Sequence, residues 1–238
     1  MTHDPREVGG DGRGESDETG DSGGLRDASG PADSARDLAS RRGVETTVYQ
    51  PAEDSTLLAR AAVGHAEGRT LEVGTGSGWV AAQVAAETGA SVVASDVNPG
   101  ACRQARERAE RLRTDGEMDA GLGFEVVRAD LLAPFADDAF DTVLFNPPYL
   151  PTDPDNEWGD WMETALSGGE SGRELIEPFL DDVGRVLASD GEVLLLVSSL
   201  TGYDEVLAYA ESRGFTHEVA VQESYPFETL SVVLFSRA

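Results

Sequence analysis

Glycines and carboxylates near the first third of the chain form a group of residues that could hold a ligand. Residues 71–78 read Leu-Glu-Val-Gly-Thr-Gly-Ser-Gly, an apolar segment that ends in glycines before an alanine-rich segment. Glycines let a ligand approach the backbone closely, and the start of a helix offers N–H groups without helical partners. Asp96 follows Gly74 by 22 residues, which is near the spacing of a ribose-binding acid in dinucleotide-binding folds. The pattern predicts a nucleoside-binding loop.

The charge of this loop favours a cation over a phosphate. The dinucleotide-binding motif is Gly-x-Gly-x-x-Gly, whereas the third glycine here, Gly78, comes one position early. Between Arg69 and Arg103 there is no basic side chain that could bind a phosphate. The acids instead suit S-adenosylmethionine, which carries a ribose diol, an ammonium and a sulfonium. Asp96 could accept both ribose hydroxyls, and Asp130 could accept the adenine amino hydrogens. A structural glycine turn with surface acids is the alternative.

A second group, Asn146-Pro147-Pro148-Tyr149, directly follows an apolar segment. The carboxyl ends of strands line the ligand crevice in folds of this kind. The prolines fix the backbone, so that the Pro147 carbonyl and the Asn146 side-chain oxygen could accept both hydrogens of a planar NH2 group. Tyr149 could stack on that group and help to orient its nitrogen toward a methyl donor. The motif predicts N-methylation; a loop stopped by prolines is the alternative.

Alternating strands and helices must position both groups. Apolar segments predict seven strands, at 70–73, 91–94, 124–128, 141–145, 192–198, 217–222 and 230–235. Helices are expected after a cap at Asp54-Ser55 and over 80–87, 100–113, 174–187 and 203–213. This alternation indicates an α/β fold with a doubly wound, mostly parallel sheet. The last two strands have no helix between them and should pair antiparallel. The long polar stretch 151–172 is expected to be functional.

The composition divides the chain into two parts. Residues 1–43 are rich in Gly, Asp and Ser and contain no aromatic residue, which predicts a disordered acidic tail. Residues 44–238 are expected to form the catalytic domain. No apolar run approaches the roughly 20 residues of a membrane span, and no secretory signal is evident. With Cys102 as the single cysteine, an internal disulfide is impossible, and we expect a cytoplasmic enzyme without a metal site.

The net charge is strongly negative. The chain has 45 Asp and Glu residues against 18 basic residues, all of them arginine, for a formal charge of −27. Such a surface repels nucleic acid, because binding a duplex requires basic side chains that neutralise phosphates. The same charge destabilises the compact state by self-repulsion, which molar salt relieves by shortening the Debye length to about 3 Å. The acid excess therefore predicts a halophilic protein.

These motifs, in this order, resemble those of class I S-adenosylmethionine-dependent methyltransferases, which have a Rossmann-like fold. Residues 48–55 (Val-Tyr-Gln-Pro-Ala-Glu-Asp-Ser), 168–174 (Gly-Gly-Glu-Ser-Gly-Arg-Glu) and 228–232 (Glu-Thr-Leu-Ser-Val) are similar to segments of the HemK-type release-factor glutamine methyltransferases of archaea and eukaryotes. The resemblance covers about residues 44–238. It implies N5-methylation of the glutamine in the Gly-Gly-Gln loop of the class 1 translation release factor. One departure is Gln50, where the family usually has Glu.

The resemblance and the glycine motif together predict the site residues. The expected cofactor-binding residues are Ser55, Glu72, Gly74, Gly76, Asp96, Asp130, Leu131 and Asn146. The expected substrate-binding residues are Asn146, Pro147, Pro148 and Tyr149, of which Asn146, Pro147 and Tyr149 are also expected to be catalytic. The Asn-Pro-Pro-Tyr motif alone also occurs in nucleic-acid methyltransferases that modify adenine N6 or guanine N2. Lysine methylation and a non-catalytic cofactor-binding scaffold are further alternatives.

The resemblance also implies a partner. Enzymes of this family form a heterodimer with a small zinc-binding activator protein. In the usual strand order of the fold, the strand 124–128 lies at an open sheet edge, and open edges invite pairing with another chain. An edge blunted by Glu125 and Arg128 is the alternative.

Three other features have simpler interpretations. The arginines at 103–113 alternate with glutamates at helical spacing, which is typical of a solvated helix face. The histidines are scattered and show no metal-ligand spacing. Trp158 and Trp161 could grip a substrate protein or pack over the loop that contains them.

Overall fold

A computed structural model describes residues 48–114, 123–152 and 161–238. Its seven strands are β1 (Arg69–Val73), β2 (Ser91–Asp96), β3 (Phe124–Arg128), β4 (Phe140–Phe145), β5 (Leu187–Ser198), β6 (Phe215–Ser224) and β7 (Thr229–Arg237). They form one sheet in the order β3-β2-β1-β4-β5-β7-β6. The first five strands pair in parallel, whereas β7 is antiparallel to both β5 and β6. This confirms the predicted sheet, including its antiparallel end.

The parallel strands all end at the same side of the sheet, which we call the carboxyl edge. The turn between β6 and β7 reaches this edge as well, because Leu230 at the start of β7 pairs with Ser198 at the end of β5. The segments that follow β1, β2, β4 and β5 and the β6–β7 turn therefore meet along one side of the molecule.

Helices cover both faces of the sheet, as a doubly wound fold requires. They are α1 (Glu53–His65), α2 (Trp79–Thr88), α3 (Pro99–Thr114), a single turn α4 (Trp161–Thr164), α5 (Ile176–Val186) and α6 (Tyr203–Ser212). The buried side chains of α1, α2 and α3 pack with one face of the sheet. Those of α5 and α6 pack with the other face, where Phe179 and Val183 belong to the same buried cluster as Phe235 of β7.

Gly78 allows two of these helices to approach each other closely. Its φ of +76° lies in the left-handed region, and a Cβ atom there would lie 2.9 Å from the backbone of Ala105 and 3.2 Å from the Phe124 ring. A Cβ atom at these distances would force Ala105 and Phe124 away from the loop. A residue without a side chain is therefore required where the glycine loop leads into α2 and passes α3.

Several predicted boundaries differ from the structure. Helix α1 begins at Glu53 with Ala52 as its N-cap, so Asp54-Ser55 do not cap it from outside. The helix predicted over 174–187 spans Ile176–Val186 and leads directly into β5, which begins at Leu187 and not at Glu192. The turn-like sequence at 188–191 suggested a loop. Leu187 instead pairs with Phe140, and the register between β4 and β5 is irregular before the next pair, Thr142 with Glu192.

The arginine-rich face of α3 covers the edge strand β3. Arg106 donates to the Val126 carbonyl, and Arg113 donates to the Phe124 carbonyl. Strand β3 stands at the end of the sheet order, as predicted. The arginine guanidinium groups on this helix thus reach backbone carbonyls of the edge strand in addition to solvent.

Some of the sequence predictions concern residues outside the described ranges, and others concern membrane helices and metal sites. The predicted tail 1–43 and Trp158 lie outside them, as do 153–160 of the loop that was expected to be functional. Over the residues that are described, no helix has both the length and the apolar character needed to cross a bilayer. In the same residues, no group of three or more His, Cys, Asp or Glu side chains is arranged to hold a metal ion. Cys102 is buried.

Candidate active site

A cleft at the carboxyl edge brings the predicted residues together. All eleven of them line it, namely Ser55, Glu72, Gly74, Gly76, Asp96, Asp130, Leu131, Asn146, Pro147, Pro148 and Tyr149. They come from α1 and from the segments at the ends of β1, β2, β3 and β4. The cleft contains about 1140 Å³ of space outside the protein atoms, part of it open to solvent. The two motifs recognised in the sequence therefore face one shared space.

Glu72 braces the glycine loop from inside. One of its carboxylate oxygens, Oε2, accepts hydrogen bonds from the Thr75 hydroxyl at 2.5 Å and from the Ala81 N–H at 3.0 Å. The Ala81 N–H belongs to the first turn of α2, where backbone donors have no helical acceptor. Burial raises the pKa of Glu72 to about 8, although both hydrogen bonds favour the ionised form. The loop is thus fixed by a carboxylate that has little access to water.

Asp96 joins two loops at the end of β2. Its carboxylate accepts from the Gly76 N–H and from the Asn98 N–H, each at 2.8 Å. Burial raises the pKa of Asp96, and these backbone hydrogen bonds act in the opposite direction. The side chain is half-buried and lines the cleft. Beyond it, Asp130 is exposed at the end of β3, and Leu131 holds a φ of +44°.

Asn146 presents an unsatisfied acceptor. Its side-chain oxygen Oδ1 is buried and has no hydrogen-bond partner among the described residues. Buried polar atoms in folded proteins are nearly always paired, and leaving one unpaired costs about 1–3 kcal/mol. An acceptor of this kind, fixed at the end of β4 in a ligand cleft, is suited to receive a donor from a bound molecule.

Tyr149 is anchored by a residue that the sequence analysis did not select. Its hydroxyl donates to Oδ2 of Asp54 at 3.5 Å, and the Tyr49 hydroxyl donates to the same oxygen at 2.7 Å. Asp54 is 1% exposed, and its other oxygen accepts from the Ser55 N–H at 2.6 Å. From the sequence alone, Asp54 is expected to be part of a helix cap. Nothing in the sequence pairs it with Tyr149, which lies 95 positions away.

The 168–174 segment supports the Asn-Pro-Pro-Tyr loop from the other side. A Cβ atom at Gly172 would lie 2.8 Å from the Tyr149 carbonyl oxygen and 3.0 Å from the Thr201 methyl group. Arg173 donates to the Thr201 carbonyl at 2.6 Å and thereby connects this segment to the end of β5. At position 50, where the family usually has Glu, the Gln50 amide donates to the Val48 carbonyl at 3.0 Å.

The charge of the cleft defines what it can bind. Among the described residues that line it, four are acidic (Asp54, Glu72, Asp96 and Asp130) and none is Arg or His. Such a lining suits a cationic ligand with hydroxyl groups and disfavours a phosphate. The rigid acceptor at Asn146 stands beside it. This arrangement can hold an NH2 group next to a bound cation.

The sheet order, with an antiparallel β7, and a ligand cleft at the strand carboxyl ends together define a class I methyltransferase. The profile of the "Methyltransferase small domain" family matches residues 50–157. The solved Mtq2–Trm112 complex of E. cuniculi contains a chain that superposes with a TM-score of 0.62 at 28% identity, over 81% of this chain and 100% of that one. That complex is described as responsible for methylation of the translation termination factor eRF1.

Sequence comparison with named proteins identifies the family within the class I methyltransferases. Human methyltransferase HEMK2 is 32% identical over 83% of this chain and 93% of its own length. A Methanocaldococcus jannaschii protein, provisionally named a protein N5-glutamine methyltransferase, is 34% identical over 78% of this chain and 90% of its own length. The chain belongs to the HemK-type family of class I methyltransferases, as the sequence motifs predicted.

Proposed function

We propose that this enzyme transfers the methyl group of S-adenosylmethionine to the N5 nitrogen of a protein glutamine. The proposed target is the glutamine in the Gly-Gly-Gln loop of the class 1 translation release factor. The names of the relatives support a glutamine substrate, and the E. cuniculi complex acts on a termination factor. The observation that carries the proposal is the buried, unpaired Oδ1 of Asn146 at the cleft.

The acidic lining fits the cofactor. When bound, S-adenosylmethionine supplies a methyl group attached to a cationic sulfur. In this proposal Asp96 accepts hydrogen bonds from its ribose hydroxyls. Glu72 binds its cationic groups as a carboxylate, because a bound cation lowers the pKa of Glu72 and favours loss of its proton. The remaining cofactor-binding residues that we propose are Ser55, Gly74, Gly76, Asp130, Leu131 and Asn146. None of these residues is Arg or His, so no basic side chain among them would repel the cationic sulfur.

The Asn-Pro-Pro-Tyr loop would bind the glutamine amide. The Asn146 Oδ1 and the Pro147 carbonyl accept the two amide hydrogens, Pro148 keeps the loop rigid, and the Tyr149 ring lies against the amide plane. Holding both hydrogens turns the nitrogen toward the donor and restricts its rotation, which lowers the entropic part of the barrier. As the N–C bond forms, the nitrogen becomes cationic and readily loses one proton to water. No dedicated base is required.

We also propose that the enzyme works with a small activator subunit at the β3 edge. The related Mtq2 chain was solved in complex with Trm112. Among the described residues, β3 pairs only with β2, so its other side is available for another strand. The guanidinium groups of Arg106 and Arg113 on β3 carbonyls would have to move aside for such pairing.

A methylation assay with three classes of substrate tests the function. The purified chain, with its activator and in molar KCl, is given labelled S-adenosylmethionine and either release factor, RNA or DNA. We expect label on the release factor, and mass spectrometry should place it on the Gly-Gly-Gln glutamine. Label on a lysine of the factor, or on nucleic acid alone, would refute the proposal.

The role of Asn146 is tested in the same assay. Removing a group that orients the reacting atom costs about 100-fold or more in rate, so we expect Asn146→Ala to lose transfer to that extent. Its affinity for S-adenosylmethionine should change much less. Gln83→Ala, which removes a half-buried amide on α2 that does not line the cleft, is the matched control. Retained activity in the Asn146 variant would refute the assigned role.

A further inference from the structure

Exposed apolar side chains concentrate on the carboxyl edge of the sheet. Among the described residues, five large apolar side chains are exposed, namely Val97, Trp161, Leu200, Val219 and Phe227. Four of them follow strands at the carboxyl edge or lie in the β6–β7 turn, and Val219 lies within β6. Phe227 is 80% exposed, the most of the five. Apolar exposure grouped beside a ligand cleft is typical of a surface that binds another molecule.

Phe227 and Leu200 lie on neighbouring segments. The Thr229 N–H donates to the Ser199 hydroxyl at 3.0 Å, which joins the β6–β7 turn to the segment after β5. The Ser198 hydroxyl donates to the buried Glu228 carboxylate at 2.9 Å. These two bonds join the two residues that follow Phe227 to the two residues that precede Leu200. We call these two exposed side chains the Leu200–Phe227 patch.

The patch is connected to the amide-binding loop. Thr201 follows Leu200, and its methyl group lies near Gly172, which in turn lies against the Tyr149 carbonyl. Arg173 holds the Thr201 carbonyl at 2.6 Å. The patch is therefore joined, through Thr201 and Gly172, to the loop that carries Asn146 and Tyr149.

The charge next to the patch is negative. Asp204 and Glu205 are exposed in the first turn of α6, directly after this segment, and Glu170 is exposed on the supporting loop. The nearby cation, Arg173, is already engaged by Glu177 at 3.3 Å and by the Thr201 carbonyl. A basic segment would complement this surface.

We propose that the Leu200–Phe227 patch docks the polypeptide that flanks the target glutamine. The occupant is a segment of the substrate protein with an apolar side chain seated on Phe227 and basic residues facing Asp204 and Glu205. This inference rests on the proposed glutamine methyltransferase function and adds how a protein, as opposed to a free amide, is recognised. Aromatic side chains at such sites commonly contribute much of the binding energy.

Kinetics on a large and a small substrate test the proposal. Phe227→Ala and Phe227→Asp are compared with Val219→Asp, which alters an exposed apolar residue of β6. Losing an anchor worth about 1.4 kcal/mol raises KM about tenfold. We expect that rise for intact release factor with the Phe227 variants, with no comparable change in kcat or cofactor affinity. A short Gly-Gly-Gln peptide, too small to reach the patch, should show the same KM for wild type and variants.

A second variant tests the charge. Asp204→Asn with Glu205→Gln should raise KM for intact factor at the lowest salt at which the enzyme stays folded. The difference should vanish at molar salt, because screening is then nearly complete. Glu211→Gln, in the last turn of α6, is the control.

Three results would overturn the docking proposal. One is an unchanged KM for intact factor in the Phe227 variants, and another is an equal rise for the short peptide. The third is a self-association of wild type that Phe227→Asp abolishes in sedimentation, because the patch would then bind a second copy of the chain. Failure of the wild type to methylate any glutamine would instead overturn the proposed function, so the two failures are distinguishable.

Discussion

Glu72 makes the stability of this enzyme depend on pH in a direction that is unusual for a carboxylate. The side chain is 4% exposed, and its pKa is raised from 4.5 to about 8 by burial. Between these two values the folded chain keeps a proton on Glu72 that the unfolded chain has released. The free energy of unfolding must therefore fall as pH rises through this window. Above about pH 8 the folded protein carries the full cost of a buried carboxylate.

The size of the effect follows from the shift. One pKa unit corresponds to about 1.4 kcal/mol. The raised pKa of Glu72 should therefore lower the free energy of unfolding by something on the order of 5 kcal/mol across the window. Glu72→Gln removes this titration, while the new amide oxygen still accepts from Thr75 and Ala81. The variant should gain stability relative to wild type as pH rises, and its advantage should level off above about pH 8.

Urea unfolding at constant high salt, from about pH 5 to about pH 9, measures this difference. Taking wild type minus variant cancels the titration of the other acids, including Asp96. Saturating S-adenosylmethionine should flatten the dependence, because a bound cation lowers the pKa of Glu72. A difference in unfolding free energy that stays constant over the whole range would refute the reasoning.

Two further predictions concern stability, both measured by urea unfolding. Tyr49→Phe should lower the free energy of unfolding by about 2 kcal/mol, since it removes a 2.7 Å hydrogen bond to the buried Asp54 carboxylate. Tyr149→Phe should lower it less, because the hydrogen bond of Tyr149 to the same carboxylate measures 3.5 Å. Equal losses for the two variants would contradict this geometry. Gly78→Ala should cost about 1–3 kcal/mol more than Gly89→Ala, because both residues have a positive φ but only Gly78 has neighbours within 4 Å of the added Cβ. Similar losses at the two glycines would show that α2 and α3 can move apart.

Much of the fold was predictable because its signals are local. The apolar strands, the glycines after β1 and the prolines after β4 each stand within a few residues of one another. The antiparallel end followed from the lack of a helix between β6 and β7. The start of β5 at Leu187 was missed for the opposite reason. Its pairing with Phe140 is a tertiary contact that outweighs the turn propensity of residues 188–191.

In the candidate site, too, some features follow from local sequence and others depend on contacts between residues that are remote in sequence. The ends of the strands meet at one edge of a parallel sheet, so the sequence alone predicts that the acids and the Asn-Pro-Pro-Tyr loop share one cleft. Asp54 could not, because its contact with Tyr149 joins residues that are remote in sequence. An aspartate at the start of a helix usually has a capping role, and that common role concealed the rarer one. Buried carboxylates that bind hydroxyls carry no spacing signature.

The hydrogen bond between Asp54 and Tyr149 has a consequence for how the enzyme reaches its active form. It closes a loop of 95 positions and joins the helix before β1 to the loop after β4. Contacts that are so remote in sequence form slowly, since chain entropy opposes their closure. During synthesis the central strands can therefore pair before Tyr149 is secured. Catalytic competence should then lag behind the acquisition of secondary structure in refolding.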